Sequence, residues 1–208
     1  MRTEHFTTAG ALAAMPGIAD GPQLPERRWA AVLTADVVGY SRLTSLNQEQ
    51  TYLLYKAHRR ELIDPKIAEY RARFAKSTGD GILAEFETAL DAAQCAIAVQ
   101  ERMVERCKGE SVHRRIVFRM GLSCGNIIAD REDIYGHDVN VAARLQTVAP
   151  AGGIAMTEKV AELVGPSLHL PLEDLGVQQF RNMCHPIRVF QCRVPGESIH
   201  ENSAESLV

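Results

Sequence analysis

Two aspartates each stand where an apolar run meets a tight glycine-bearing turn: Leu33-Thr-Ala-Asp36-Val-Val-Gly39-Tyr and Lys76-Ser-Thr-Gly79-Asp80-Gly81-Ile-Leu. Carboxylates brought to about 4 Å repel by about 4 kcal/mol at an effective dielectric of about 20, and a divalent cation removes that cost. Mg²⁺ uses one or two protein carboxylates and fills the rest of its shell with water and phosphate oxygens, so two aspartates suffice. A pair of such ions can hold the attacking and the leaving oxygen of an in-line phosphoryl displacement. Asp-Gly between apolar runs is also the commonest short hairpin signal, so Gly79-Asp80-Gly81 reads equally well as a plain turn. Asp36 is different. It closes the apolar run 30–35, which reads as a buried strand, and a carboxylate there is rarely left without a partner. The loop Val37-Val38-Gly39-Tyr40-Ser41 then leads into a helical pattern, where successive N–H groups can cradle a triphosphate, although no Walker lysine follows.

A third constellation is Asp133-Ile-Tyr-Gly136-His-Asp-Val-Asn140-Val-Ala-Ala-Arg144. On a helix Asn140 and Arg144 share a face, beside an apolar stripe of Val141, Leu145 and Val148. Alone, this is an ordinary amphipathic helix with a polar edge.

The elements that must position these residues alternate. A strand near 30–36 precedes a helical region near 46–69, where Ser45 and Gln48 have capping-box spacing and Leu54, Leu62 and Ile63 supply an apolar face. A hairpin follows at 72–78 and 81–86, then a helix from Thr88, its N-cap, to about 106. Two strands, 116–124 and 126–129, are expected on either side of Gly125. A helix from about Asn140, a short strand 154–156, a short helix 158–164 and strands near 168–179 and 187–193 complete the pattern. A hairpin between two helices predicts an α+β fold: a mixed sheet in the ferredoxin-like style, with helices mainly on one face and the other face open to a partner or substrate.

With 208 residues, 46% apolar, one packed domain is expected, here residues 28–194 between a flexible leader (1–27) and a disordered tail (195–208). Lys and Arg total 23 against 26 acidic residues, a net charge of −3 that carries no nucleic-acid footprint. His113, Arg114, Arg115 and nearby Arg119 read as a solvated loop and strand edge. Five cysteines without paired spacing argue against a disulfide framework or a zinc site and fit a reducing cytoplasm. No apolar run reaches the roughly 20 residues of a membrane span.

With Asp36, Lys76, Asp80, Asp133, Asn140 and Arg144 present in that order, the sequence resembles the class III nucleotidyl cyclases, and more closely the bacterial adenylate cyclase catalytic domain, over about residues 28–194. The resemblance implies a ferredoxin-like (βαββαβ) core with extra C-terminal strands and active sites shared between two domains of a head-to-tail homodimer. It implies conversion of ATP to 3′,5′-cyclic AMP and pyrophosphate with two Mg²⁺ or Mn²⁺ per site. By the same resemblance Asp36, Asp80 and the Val37 carbonyl hold metal, and Lys76 with Asp133 reads adenine. Asn140 orients the ribose, Arg144 offsets charge on the transferred phosphate, and Val38, Gly39, Tyr40 and Ser41 line the triphosphate. Arg181 falls where many relatives place a triphosphate-binding lysine.

Lys76 and Asp80, four residues apart, lie about 13 Å from each other on an extended strand, too far to touch one point of a small substrate. In the family each site takes its metal aspartates from one subunit and the remaining groups from the other, so a symmetric homodimer of this chain makes two complete sites. Lys donates to a ring nitrogen and Asp accepts from the exocyclic amine of adenine, a pattern that guanine reverses. The alternatives are a guanylate cyclase, which usually has Glu and Cys or similar at the base positions, a silent nucleotide-binding module, and a structural dimerisation domain. A diguanylate cyclase ranks behind these, because Thr78-Gly79-Asp80-Gly81-Ile82 lacks the Gly-Gly-Asp/Glu-Glu-Phe signature. The sequence identifies no regulator.

Overall fold

Alternation along the first strand sets the layering of the molecule. β1 (Glu26–Val37) sends Ala31, Leu33, Ala35 and Val37 to one side and Ala30, Val32 and Asp36 to the other, since successive strand residues point to opposite faces. The computed structural model describes residues 26–111, 114–130 and 133–195, so residues 1–25 of the expected leader and residues 196–208 of the tail lie outside the described residues. Glu26 already pairs with Ala129, which puts Glu26 and Arg27 in the sheet rather than in a leader.

After β1 come α1 (Tyr40–His58), a π-helical turn (Arg59–Ile63), α2 (Asp64–Glu69), β2 (Arg73–Thr78), β3 (Gly81–Phe86) and α3 (Ala89–Arg106). Then follow β4 (Phe118–Ala129), β5 (Ile134–Tyr135), α4 (His137–Val148), β6 (Gly153–Thr157), α5 (Glu158–Val164), a 3₁₀ turn, β7 (Glu173–Gln178) and β8 (Ile187–Arg193). The sheet runs β2-β3-β1-β4-β6-β8-β7, with β5 paired to the end of β4. Its antiparallel β2-β3-β1-β4 portion is the expected ferredoxin-like core, and β6, β8 and β7 extend it beyond β4.

α1, α2, α3 and α5 close over one face, burying Leu33, Phe118, Leu122, Ile154 and Met156 in the main core. The opposite face is not open, as the sequence suggested, because α4 crosses it. Ala142 of α4 packs with Ala30, Val32 and Ile127, while Val141 and Leu145 meet Ala155, Phe180 and Val189. The reason lies in β4, whose α4-facing positions read Gly121, Ser123 and Gly125. A Cβ at Gly121 would stand 2.1 Å from the Ala142 carbonyl oxygen, and one at Gly125 would stand 2.1 Å from Asp138 Oδ2. Between them the Ser123 hydroxyl donates to the Asp138 carbonyl at 2.5 Å. Gly125 therefore makes room for a helix instead of dividing two strands, and β4 is one continuous strand of 12 residues.

Local chemistry explains the remaining departures. Helix α1 starts at Tyr40, six residues earlier than expected, behind a left-handed Gly39 (φ 66°). Ser45 is not a cap, since its hydroxyl donates one turn back to the Ser41 carbonyl. The break falls at Asn47, which leaves helical geometry and accepts the Gln50 N–H on Oδ1 at 3.0 Å, restarting the helix. Thr88 is the N-cap of α3, accepting the Asp91 N–H at 3.0 Å. Helix α4 begins at His137, three residues before Asn140. Residues 168–172 are not part of β7. Pro171 lacks a ladder donor, and Leu168, Leu170 and Leu172 instead cover the main core.

Candidate active site

Asp36 ends β1 on the face crossed by α4, and its register partner on β4 is Arg119. Arg119 donates from Nε to Asp36 Oδ1 at 2.7 Å and from an Nη to Asp36 Oδ2 at 2.9 Å, a two-point clamp. Its other Nη donates to the Thr147 carbonyl near the end of α4 at 3.3 Å. Arg119 is thus a central-strand residue bound to a candidate metal ligand, not part of the solvated edge expected from the sequence. Asp80, at the tip of the β2–β3 hairpin, reaches the same place: its Oδ2 accepts the Val37 N–H at 3.3 Å. The hydrogen bond to Asp36 chiefly holds the Arg119 guanidinium above its ordinary pKa; burial opposes this, and the charges of Asp36 and Asp80 add to it. Both carboxylates therefore act on one cation, supplied here by the protein.

That arrangement fits a divalent ion. The donors are hard carboxylate oxygens, and among the described residues no group of three or more His, Cys, Asp or Glu gathers. Two carboxylates suit Mg²⁺ or Mn²⁺ sharing its shell with water and phosphate oxygens better than they suit a metal needing an all-protein cage.

The adjoining loop corrects the triphosphate cradle. The Val38 N–H is committed to the Val117 carbonyl at 2.8 Å, so it offers no donor to a ligand. Gly39, the N-cap residue of α1, brings no side-chain cap to the helix. The first-turn amides of Tyr40 and Ser41 have no intrahelical acceptor, as for any helix start. The Tyr40 ring turns inward, edge-on to Tyr55 at 6.1 Å, leaving its backbone as the part available to a ligand.

Lys76 on β2 and Asp133 before β5 form an ion pair at 2.7 Å. The Lys76 side chain is 52% exposed, whereas Asp133 is 7% exposed, so the carboxylate is fixed and the ammonium faces outward. The second carboxylate oxygen of Asp133 accepts the Ile134 N–H at 2.9 Å. Burial works against the Asp133 charge, but the Lys76 hydrogen bond and the Ile134 amide outweigh it and hold the carboxyl below its ordinary range. The hydrogen bond with Asp133 raises the Lys76 ammonium correspondingly.

Asn140 and Arg144 lie one turn apart on α4 and both are exposed. Arg181 is exposed in the β7–β8 turn beside Phe180, which packs against Val141 and Leu145 of the same helix. Among the described residues, no hydrogen bond or ion pair joins the Asp36–Asp80 pair to the Lys76–Asp133 pair.

A mixed sheet with a ferredoxin-like core, two clustered aspartates at one end and a Lys–Asp pair at another edge, its ammonium outward and its carboxylate buried, define a nucleotide-cyclase type of α+β domain. Residues 25–181 match the adenylate and guanylate cyclase catalytic domain family, and the chain belongs to that family. Putative adenylate cyclase 3 of Rhizobium meliloti (strain 1021) is 36% identical over 164 residues, covering 79% of this chain and 28% of that protein. An adenylate cyclase of Streptomyces coelicolor is 30% identical over 144 residues, covering 69% of this chain and 36% of that protein. The chain thus spans about a third or less of the length of these relatives. A crystal structure of an adenylate/guanylate cyclase/hydrolase from Silicibacter pomeroyi superposes with a TM-score of 0.77 at 42% identity, covering 82% of this chain and 98% of that one. The adenylyl cyclase CyaB from P. aeruginosa, at 22% identity and a TM-score of 0.71 over 83% of this chain and 97% of that one, shares the fold. No described helix is long and apolar enough to cross a membrane.

Proposed function

We propose that the domain is an adenylate cyclase, converting ATP to 3′,5′-cyclic AMP and pyrophosphate at sites shared across a head-to-tail homodimer. The observation that carries this reading is the Lys76–Asp133 pair, drawn together from positions 57 residues apart to present one donor and one acceptor on a common edge. Lys76 donates to a ring nitrogen of adenine, and Asp133 accepts from the exocyclic amine. Asp36, Asp80 and the Val37 carbonyl hold two Mg²⁺ or Mn²⁺, which supply Lewis acidity to the ribose 3′-hydroxyl and the phosphate oxygens. Asn140 orients the ribose so that the 3′-oxygen faces the α-phosphorus. Arg144 offsets the charge that builds on the α-phosphoryl oxygens, and Arg181 with the Tyr40 and Ser41 amides holds the β- and γ-phosphates. Arg119, clamped on Asp36, would add positive charge beside phosphates held there. The exposure of Asn140 and Arg144 and the separation of the Asp36–Asp80 pair from the Lys76–Asp133 pair support completion of each site by a second subunit.

The test is incubation of the purified protein with ATP or GTP and Mn²⁺ or Mg²⁺, followed by separation of cyclic nucleotide from pyrophosphate. Cyclic AMP made from ATP and lost in Asp80→Ala supports the reading; cyclic GMP made from GTP in excess makes the domain a guanylate cyclase, and no product from a folded dimer makes it a silent nucleotide-binding module. Mixing Asp36→Ala with Arg144→Ala chains should restore part of the activity, because one site of each heterodimer is then intact. No rescue despite demonstrated subunit exchange would refute shared sites.

A further inference from the structure

Glu85 on β3 is 6% exposed, and a carboxylate that deep demands compensation. It lies between Arg73, its register partner on β2, and Val32 on β1, on the same sheet face as Asp36. Its Oε1 accepts from both Arg28 and Arg73, the latter at 2.6 Å. Its Oε2 has no partner among the described residues. A buried ion pair of this kind adds little stability over a well-packed apolar residue, whereas it fixes the direction of the groups it holds.

Arg73 carries that direction into the β4–β5 loop. One Nη donates to the Asp130 carbonyl at 2.9 Å and the other to the Asp133 carbonyl at 3.4 Å. The loop closes on itself through the Asp133 N–H to Asp130 Oδ1 at 2.7 Å and the Asp130 N–H to the Asp133 carbonyl at 3.1 Å. Asp133 then presents its carboxylate to Lys76. A planar guanidinium spans a carboxylate on the sheet and two carbonyls on a loop, which a lysine ammonium on a single point cannot do.

We propose that Arg73, oriented by Glu85 and Arg28, is a positioning residue that sets the place of the Asp133 carboxylate relative to Lys76 and thereby the choice of purine. This rests on the reading of Lys76 and Asp133 as the base-recognising pair. A small displacement of one of two recognition groups weakens binding of the matched base and narrows the margin over the mismatched one.

The test uses the full chain with Arg73→Met, Arg73→Lys and Glu85→Gln, read in two ways. Without nucleotide, hydrogen exchange at the Asp133 and Ile134 amides should quicken by about tenfold in Arg73→Met, since the loop loses both Arg73 hydrogen bonds and keeps the Lys76 ion pair as a side-chain link to β2. With Mn²⁺, the ATP-to-GTP ratio of kcat/KM should fall by about tenfold, mainly through KM for ATP. Arg73→Lys keeps a charge partner for Glu85 and should recover thermal stability without recovering selectivity, a split that a purely structural role does not produce. Unchanged exchange in folded Arg73→Met, or quickened exchange with an unchanged ratio, overturns the proposal. Lys76→Ala and Asp133→Ala separate the two levels. If they too leave the ratio unchanged, the base-recognition reading has failed; if they change it and Arg73→Met does not, only the positioning role has failed.

Discussion

Beneath α1, α3 and α5 the sheet buries Phe118, Leu122, Ile154 and Met156, and the polar side chains within that layer include Gln100 and a buried His58. On the α4 side the sheet bears Asp36, Arg119, Glu85, Arg73 and Lys76, while β1, β3 and β4 send apolar residues to the main core on the other side. Neighbours in sequence therefore belong to different tasks: Ala35 fills the core and Asp36 meets Arg119. The contrast teaches that along β1, β3 and β4 strand parity separates the main core from the charged groups, because a period of two sends alternate residues to opposite faces, while on β2 the bulge between Phe74 and Lys76 lets Arg73 and Lys76 share one face.

The sharpest way to break that separation is on Asp36 itself. Asp36→Ala should lower cyclase turnover by about 10³-fold or more, while calorimetry shows a thermal midpoint within a few degrees of the parent. Its counterpart, Leu122→Ala on the opposite face, should cost about 3 to 4 kcal/mol in denaturant unfolding and leave KM of the folded protein unchanged. Equal effects on both readouts in both variants would dissolve the distinction.

Gly121 marks where the rule bends, since it lies on the charged face yet serves packing. Gly121→Ala drives a Cβ into the Ala142 carbonyl and the Gln146 amide nitrogen, at 2.1 and 2.4 Å, both backbone atoms. Denaturant titration should show a loss of about 3 kcal/mol, as for other overpacked sites.

The smallest effect concerns His58, whose two ring nitrogens are buried without a hydrogen-bond partner among the described residues. Burial chiefly, and Arg106 next, lower its pKa in the folded protein, with Glu61 opposing. The unfolded chain then takes up the proton first, so stability should fall as pH drops below about 6.5. His58→Leu should flatten that part of the stability–pH curve, checked by denaturant midpoints at pH 8 and pH 5.5. An identical slope in parent and variant would remove His58 from the account.

What the sequence disclosed was local. The β2–β3 hairpin, the Thr88 cap and the βαββαβ order follow from turn residues and short periodicities, and so does the placing of Asp36 at a strand end. What stayed hidden depends on pairing across long separations. Arg119 meets Asp36 over 83 residues, and only the register of β1 with β4 shows that a charge beside Phe118 faces a carboxylate. The single hint was a charged residue inside an apolar alternation at the same end as Asp36. Gly125 looks like a breaker until α4 is seen lying on it, and the Val38 amide looks free until Val117 arrives beside it. The Glu85–Arg73 link was equally out of reach, because it needs the β2–β3 register and the path of the loop around Asp133 at once.

During synthesis β1 emerges before every strand that will flank it. Ala31 pairs with Phe86 on one side and with Cys124 on the other, so both edges stay open until the ribosome has moved far downstream. Through that interval Trp29-Ala-Ala-Val-Leu-Thr-Ala35 is an uncharged, strand-prone run of the kind that self-associates. Arg27 and Arg28 precede it and Asp36 follows it, bracketing the run with charge in the manner of gatekeeper residues. Arg28 and Asp36, each ion-paired in the finished sheet, thus also guard the nascent strand while it waits for its neighbours.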